Sequence, residues 1–317
     1  MAILLSSEPI TITPSQSELT NSRLTPQHLE TAIRALHQDG LVVIENIIPH
    51  DLIDHLNPRM VQDALVLQSR KENSPYNYNP GNIQQDPPPS SEFFHPEIFL
   101  NPIVNQITST HLGPNPKMTF MSANTALPDP TLSSQPVHSD ADFAHPTHAF
   151  AVVVNVPLTT MTPANGSTEI WLGTHTSELS GPHAQEGVHG ERASGRIKHE
   201  YLDSRRTVRP PSQPVVKKGS AIIRDLRLWH AGKPNTVLDG KGSPRVMLAM
   251  IHFAPWYRNG MVPEMGEDAR EKIEGVREKL KEVGGLEVPM EYKATEEVLQ
   301  TYMTRPFGNA YDFGQAD

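Results

Sequence analysis

The sequence of 317 residues contains no cysteine, which excludes disulfide bonds and cysteine-ligated zinc sites. No apolar stretch approaches the roughly 18 residues of a membrane-spanning helix, and the apolar start of the chain is too short for a signal peptide. Basic residues are outnumbered, 27 Lys and Arg against 36 Asp and Glu, and they form no cluster. We therefore expect a cytoplasmic protein that binds neither nucleic acid nor a membrane.

Short apolar runs dominate the chain from residue 117 onwards, separated by Pro, Gly and Asn. The runs lie at 118–123, 149–156, 169–172, 215–216, 221–223 and 246–253. Repeated short strands with turn residues between them are typical of a β-sandwich or barrel. The sequence thus predicts a mainly β fold with flanking helices, and a jelly roll, the double-stranded β-helix of cupins, fits best.

The first part of the chain predicts helices that support one face of the sheet. Residues 1–24 are rich in Ser, Thr and Pro and predict a loosely docked arm. Thr25 and Pro26 form a helix start, and Gly40 ends that helix before a strand at 41–44. A second amphipathic helix is expected at 49–68.

We interpret the chain as one domain, residues 1–317, with four parts. They are an arm at 1–24, helical support and a lid loop at 25–116, a jelly-roll core at 117–258 with a polar insert at 177–214, and C-terminal helices and a tail at 259–317. In the last part, the segment 267–283 carries an apolar stripe with charges opposite it. Such a stripe usually packs in the core, and a homodimer contact is the alternative.

A candidate metal site is carried by His138 and Asp140. They lie two residues apart, so a strand would project both side chains from the same face. With 15 His and 36 acidic residues a bare His-x-Asp also arises by chance, and a solvated turn is the alternative. A third ligand from His230 would complete a two-histidine, one-carboxylate facial triad, which leaves open positions on a non-heme Fe(II).

Other histidines do not share this arrangement. His145 and His148 are three residues apart, a spacing that does not aim both rings at one ion. His183, His189 and His199 lie in the polar insert without an acidic partner at strand spacing, and solvated positions are expected for them.

Arg245 lies fifteen residues after His230, within an apolar strand that has little use for an inward guanidinium. Its planar fork matches a carboxylate in bidentate fashion. The residue is suited to the far carboxylate of 2-oxoglutarate.

A family resemblance rests on an ordered set of residues. Gln135-x-x-His138-x-Asp140 comes first, then Asn165-Gly166-Ser167-Thr168 leading to Leu172-Gly173-Thr174-His175, then His230 and Arg245. This order resembles the phytanoyl-CoA hydroxylase family of Fe(II)/2-oxoglutarate dioxygenases, and most closely its fungal branch that tailors secondary metabolites. The resemblance covers roughly residues 25 to 260. Where the family usually has Pro-Gly-Ser-His this chain has Leu-Gly-Thr-His, and the longer spacing to the arginine predicts a longer hairpin through 233–235 and 239–242.

The resemblance implies a cofactor set and residue roles. His138, Asp140 and His230 would bind iron, and Arg245, Thr168 and Gln135 would hold 2-oxoglutarate. Dioxygen would be the oxidant, with ascorbate as the reductant in an assay. The reaction would couple decarboxylation of 2-oxoglutarate to oxidation of an organic substrate, with release of succinate and CO2.

The substrate is expected to be a small lipophilic natural-product intermediate, since no basic cluster is positioned to receive the phosphates of CoA. Related halogenases carry Gly or Ala in place of the metal carboxylate. Asp140 therefore favours hydroxylation, desaturation or a related oxidation over halogenation.

Two alternatives come from other classes of protein. A catalytically silent cupin-like binding protein would keep the fold without the chemistry. A metal-dependent hydrolase or isomerase would use the same three ligands to hold zinc and activate water. Arg245 and Thr168 favour the oxygenase, because neither alternative needs them.

The stretch 73–96 has few regular signals and three consecutive prolines, and long loops of this kind are usually functional or disordered. Its aromatic and amide side chains favour a lid over the active site, with Tyr78, Asn82 and Phe94 as substrate contacts. The alternative is a surface loop whose aromatic residues seal the core.

Overall fold

The computed structural model describes residues 6–304, apart from 130, 132, 177, 188–193 and 238–242. The strands are β1 (Thr11–Ile12), β2 (Leu41–Ile44), β3 (Asn82–Gln85), β4 (Lys117–Ala126), β5 (Ala151–Pro157), β6 (Glu169–Ile170), β7 (Gln185–Glu186), β8 (Arg196–Ile197), β9 (Ala221–Asp225), β10 (His230–Ala231), β11 (Arg245–Phe253), β12 (Glu264–Gly266) and β13 (Glu291–Lys293). Seven of them form one sheet in the order β1-β2-β9-β5-β11-β4-β3. All neighbours in it are antiparallel except β1 and β2.

A smaller sheet faces the large one. Its centre is the antiparallel pair of β6 and β10, in which His230 lies opposite Ile170. Single-residue bridges extend this pair: His138 pairs with both His230 and Arg196, and Ile170 also pairs with Ser212. The irregular strands of this sheet are short because Pro and Gly interrupt them.

The helices are α1 (Gln16–Asn21), α2 (Pro26–Asp39), α3 (His50–Gln68), α4 (Pro96–Phe99), α5 (Pro102–Leu112), α6 (His199–Val208), α7 (Arg270–Gly275), α8 (Arg277–Lys281) and α9 (Thr295–Thr301). The bounds predicted for α2 and β2 are confirmed: the Thr25 side chain caps the helix, and Gly40 ends it at φ 74°. The main hydrophobic core joins α2, α3 and α5 to one face of the large sheet. None of the helices in the described ranges has the length and apolar character needed to cross a bilayer.

The N-terminal segment is more firmly attached than expected. β1 extends the large sheet by pairing in parallel with β2. Ser15 and Glu18 form a reciprocal capping box at the start of α1. The prediction of a loosely docked arm is therefore wrong for residues 11–24, because backbone pairing and capping offset the ordering entropy.

Glu18 connects this segment to α2. Its carboxylate accepts hydrogen bonds from the backbone and hydroxyl of Ser15 and from those of Thr25. Burial alone would raise its pKa, but the hydrogen bonds from Thr25 and Ser15 favour the charged form and lower the pKa to about 2. The charged carboxylate of Glu18 therefore stabilises the folded state fully at pH values above the ordinary pKa of glutamate. This contribution is lost as the pH falls towards about 2.

We expect Glu18→Gln to lower the free energy of unfolding at pH 7 by about 1–2 kcal/mol, because it removes charge-assisted hydrogen bonds. The deficit should shrink as the pH falls below the ordinary pKa of glutamate. Urea unfolding midpoints at pH 7 and pH 3.5 measure both effects. Glu30→Gln is the control, since Glu30 is exposed and pairs only with Arg34 among the described residues. Equal losses of unfolding free energy at pH 7 and pH 3.5 would contradict a stabilising role of the charged Glu18 carboxylate.

The polar insert at 177–214 contains more structure than predicted. It forms β7, β8 and α6, and Ala184, Ile197 and Leu202 pack against Trp171 and Trp229 in a separate buried cluster. Trp229 thus lies on the outer side of the small sheet, away from the space between the two sheets. His183 is exposed as predicted, whereas His189 lies outside the described residues.

The apolar stripe at 267–283 packs inside this chain. Ile273, Leu280 and Val283 are buried, and Ile273 and Leu280 belong to the main core. The stripe is therefore not available for a dimer contact. The aromatic tail predicted after residue 304 lies outside the described residues, as does the 239–242 part of the predicted hairpin.

Candidate metal centre

His138 lies opposite His230 of β10, with which it forms a single antiparallel bridge. The His138 amide donates to the carbonyl of His230 at 2.9 Å, and the His230 amide donates back to the carbonyl of His138 at 3.0 Å. Residues paired in this way send their side chains to the same face. Asp140, two residues after His138, reaches the same place: its Oδ1 lies 3.7 Å from Nε2 of each histidine.

Both imidazoles are held in the tautomer that a metal requires. Nδ1 of His138 lies 2.9 Å from the carbonyl oxygen of Pro136, and Nδ1 of His230 lies 3.0 Å from that of Leu228. A carbonyl can only accept, so Nδ1 carries the proton and the Nε2 lone pair points at Asp140. Burial lowers the pKa of both rings, which keeps them neutral.

Asp140 supplies the negative charge of the group. Burial alone would raise its pKa, but the neighbouring Arg224 guanidinium holds the pKa well below the ordinary range. The three residues are the one group of three or more potential metal ligands found among the described residues, with ligand atoms within 4.8 Å of one another. Two neutral imidazoles and one carboxylate fit a divalent first-row metal ion.

Arg245, the first residue of β11, faces the same cavity and is 1% exposed. Its guanidinium donates to the backbone carbonyls of Asn124 at 3.3 Å and Gly166 at 2.6 Å. Nε has no partner, and no carboxylate pairs with this group in the described part of the chain. Burial lowers its pKa to about 10, because no anion among the described residues compensates the buried charge.

Thr168 and Gln135 also line the cavity. The amide of Gln135 is already engaged: its Oε1 accepts from the backbone of Gly232 at 2.8 Å, and its Nε2 donates to the carbonyl of Asn77 at 3.3 Å. A larger residue in place of Gly232 would collide with this amide, since an added Cβ would lie 2.5 Å from Oε1. Gln135 therefore connects the segment that carries His138 and Asp140 to the loop containing Asn77.

The remaining cavity wall is largely apolar. Its apolar residues come from the inner faces of both sheets and comprise Leu41, Val43, Phe120, Val153, Met161, Ile170, Val216, Ile222, Met247, Ala249 and Ile251. Such a wall excludes water and strengthens each electrostatic interaction within it.

The three expected lid residues lie in different environments. The ring of Tyr78 lies 4.4 Å from that of His138, and its hydroxyl donates to the carbonyl of Ser194 in the insert. Phe94 is buried in the main core and stacks on Phe99, so its predicted role as a substrate contact is wrong. Asn82 is a buried residue of β3 and is not part of the cavity wall.

We expect Tyr78→Phe to raise the KM for the organic substrate by about 2- to 10-fold, because it removes one hydrogen bond between the loop and the insert. The retained ring should leave binding of iron and 2-oxoglutarate nearly unchanged. Steady-state kinetics and a 2-oxoglutarate titration separate the two effects, and protease cleavage within 73–96 with and without substrate reports closure of the loop. A change in 2-oxoglutarate affinity without a change in substrate KM would contradict this role.

The excluded histidines lie outside the cavity wall. His145 stacks on Phe150 and its Nδ1 contacts the carbonyl of Pro146, while His148 packs on Trp256. Two residues of the site were missed by sequence reasoning, namely Arg224 and Asn77. Arg224 could have been found by the pattern that indicated Arg245, because both are arginines within an apolar strand.

The fold and site define a class of protein. A jelly roll that encloses a buried two-histidine, one-carboxylate set beside an uncompensated arginine is the arrangement of non-heme iron, 2-oxoglutarate-dependent oxygenases. The chain belongs to the phytanoyl-CoA dioxygenase (PhyH) family, whose model matches residues 36–241. It is accordingly an iron- and 2-oxoglutarate-dependent enzyme.

Solved structures share the fold at low sequence identity. The epimerase SnoN in complex with Fe3+, alpha ketoglutarate and nogalamycin RO is 14% identical with a TM-score of 0.52, over 72% of this chain and 84% of that one. A second structure, the non-heme alpha ketoglutarate dependent epimerase SnoN from nogalamycin biosynthesis, is also 14% identical with a TM-score of 0.50, over 72% and 82%. EctD from S. alaskensis with 2-oxoglutarate and 5-hydroxyectoine is 17% identical with a TM-score of 0.49, over 73% and 76%. The prediction of a mainly β jelly roll is confirmed.

Proposed function

We propose that this enzyme oxidises a small lipophilic natural-product intermediate by hydroxylation, desaturation or a related C–H oxidation, with release of succinate and CO2. The observation that carries the proposal is Arg245, a buried cation without a carboxylate partner in the described residues, in the cavity that holds the His-Asp-His group. Binding of a dicarboxylate there would supply the missing anion.

Each residue has a distinct role in this proposal. Nε2 of His138, Nε2 of His230 and Oδ1 of Asp140 hold Fe(II). Bound iron with 2-oxoglutarate and dioxygen supplies the oxidising chemistry, and the chain supplies binding, orientation and exclusion of water.

Arg245 binds the distal carboxylate of 2-oxoglutarate, and the Thr168 hydroxyl on the same wall hydrogen-bonds to it. Gln135 lines the same cavity and donates its remaining amide N–H to 2-oxoglutarate, since only one of its two N–H groups is engaged by Asn77.

The substrate class follows from the cavity wall. Apart from the metal group, its polar neighbours and the two arginines, that wall is built from aliphatic, Met and Phe side chains. A neutral, lipophilic molecule matches this surface. Asp140 occupies the position that a halide would need, which favours C–H oxidation without halogenation.

Addition of Fe(II) and 2-oxoglutarate under anaerobic conditions tests the cofactor assignment. We expect the weak visible charge-transfer band of a metal-chelated 2-oxoacid, followed in air by formation of succinate. Absence of both would favour the catalytically silent binding protein. Absence of the band together with metal-dependent hydrolysis or isomerisation would favour the alternative enzyme class.

A further inference from the structure

Arg224 is a second guanidinium at the metal centre. It lies on β9, where its register partners Leu41 of β2 and Val153 of β5 also line the cavity. Residues in register on neighbouring strands face the same side of a sheet. The side chain is only 8% exposed, so its interactions take place in a low-dielectric setting.

The two oxygens of Asp140 are divided between different partners. Nη2 of Arg224 donates to Oδ2, whereas Oδ1 is the oxygen that faces both histidine Nε2 atoms. The guanidinium is itself fixed, because its Nε donates to Oδ1 of Asn155 at 3.3 Å and Asn155 donates in turn to the carbonyl of Leu248 at 3.1 Å. This chain of contacts leaves Asp140 one oxygen for a metal.

The third nitrogen of the guanidinium has no partner in the described part of the chain. Nη1 of Arg224 is buried and makes no hydrogen bond. An unpaired donor in a buried cation is costly, and an anion bound beside the metal would remove that cost.

Arg224 and Arg245 approach the cavity from different ends of the large sheet. In register, Arg224 pairs with Val153, and Val153 pairs with Ile251. Arg245 lies six residues from Ile251 on β11, roughly 20 Å along the strand. Both arginines line the cavity from these separate positions, an arrangement that suits one dicarboxylate held at its two ends.

We propose that Arg224 is a positioning residue that holds Asp140 as a one-oxygen metal ligand and offers Nη1 to the metal-proximal carboxylate of 2-oxoglutarate. This inference rests on the proposed function. Without Arg224, both oxygens of Asp140 would be free to bind the metal, in competition with the 2-oxoacid.

Co(II) is the probe for the first role, because its visible ligand-field spectrum responds to coordination number. We expect Arg224→Met to change the spectrum of the Co(II)-loaded protein, while Arg224→Lys, which keeps a cation near Oδ2, retains the wild-type spectrum. An unchanged spectrum in Arg224→Met would overturn the positioning role. If Arg224→Met does not fold, Arg224→Lys tests the role alone. A Co(II) spectrum of Arg224→Lys that differs from the wild-type spectrum would then overturn the positioning role.

The second role is measured by titrating the anaerobic Fe(II) protein with 2-oxoglutarate. Arg224→Met and Arg224→Lys should both bind roughly tenfold to a hundredfold more weakly, since the one ammonium nitrogen of lysine cannot occupy the separate positions of Nη1 and Nη2. Wild-type affinity in the Lys variant would overturn the assignment of Nη1.

Arg227→Met is the matched control. Arg227 also forms a buried pair, but with Asp225, at 2.7 Å. Equal shifts in Arg227→Met and Arg224→Met would mean that loss of any buried ion pair disturbs the site, which would overturn the proposal. A wild-type protein that gives no chelate band would instead contradict the proposed function, while the Co(II) spectra would still test the position of Asp140.

Discussion

His138→Ala and His230→Ala are each expected to reduce 2-oxoglutarate turnover by more than about a hundredfold. Loss of a residue that only hydrogen-bonds to a metal ligand commonly lowers metal affinity or activity by about 10–100-fold, and loss of a ligand should cost more. Each substitution removes a direct metal bond. Neither ring belongs to a hydrophobic core cluster, so the apo fold should persist. Bound iron, succinate formation and the melting temperature of the apoprotein measure these effects together.

Asp140 needs a different substitution from the two histidines. Asp140→Ala leaves Arg224 as a buried cation without its partner, which should cost about 3 kcal/mol of stability, the lower end for a broken buried pair. Asp140→Asn keeps an acceptor for Arg224 and should lose turnover with a smaller loss of stability.

The control for these ligand variants is His145→Ala, which should bind iron normally because His145 lies outside the cavity wall. Undiminished 2-oxoglutarate consumption after substitution of any of the three candidate ligands would remove that residue from the metal site. Loss of iron in His145→Ala would mean that the wrong histidines were chosen.

Arg245→Ala is expected to weaken 2-oxoglutarate binding by roughly tenfold to a few thousandfold. Loss of one partner from a buried, charge-assisted pair costs about 1.5–5 kcal/mol, at about 1.4 kcal/mol per decade of affinity. Iron affinity should change little, because no metal ligand contacts Arg245. Lysine should restore binding only in part, since it keeps the charge but loses the fork.

A 2-oxoglutarate titration of the chelate band in the wild type, Arg245→Ala and Arg245→Lys measures this loss. Arg258→Ala serves as the control because Arg258 is exposed. Arg245 also donates to the carbonyls of Asn124 and Gly166, so melting temperatures should accompany the titration. A shift in Arg258→Ala without one in Arg245→Ala would show that the cosubstrate anchor is misassigned.

Local signals accounted for the parts of the fold that the sequence predicted well. The cap at Thr25 and the left-handed turn at Gly40 define α2, and each is determined by residues that are adjacent in the chain. The two-residue spacing of His138 and Asp140 was sufficient to predict that their side chains lie together, although Asp140 lies in a bend and not in a strand. Neither inference needed knowledge of a distant partner.

Features that depend on distant pairing were missed. β3 lies within the stretch predicted as a loop, and it exists because β4 offers a free edge more than thirty residues later. The packing of α6 against Trp171 and Trp229 likewise joins segments that are distant in sequence, and no local pattern predicts this contact. Phe94 was misassigned for the same reason, since an aromatic residue in an irregular segment has one sequence signature for both the core and a binding site.

The buried cluster around Trp171 and Trp229 gives the protein an intrinsic fluorescence signal close to the candidate metal site. Trp229 directly precedes the candidate metal ligand His230, and its backbone carbonyl accepts from the amide of Trp171, whose ring centroid lies 6.3 Å away. Both indoles are fully buried, whereas Trp256, the third in the chain, is 52% exposed. We therefore expect the emission at shorter wavelengths to come from Trp171 and Trp229, and the red-shifted component to come from Trp256. Intrinsic fluorescence can then follow ordering of the β6–β10 pair separately from events at the surface, without an added label.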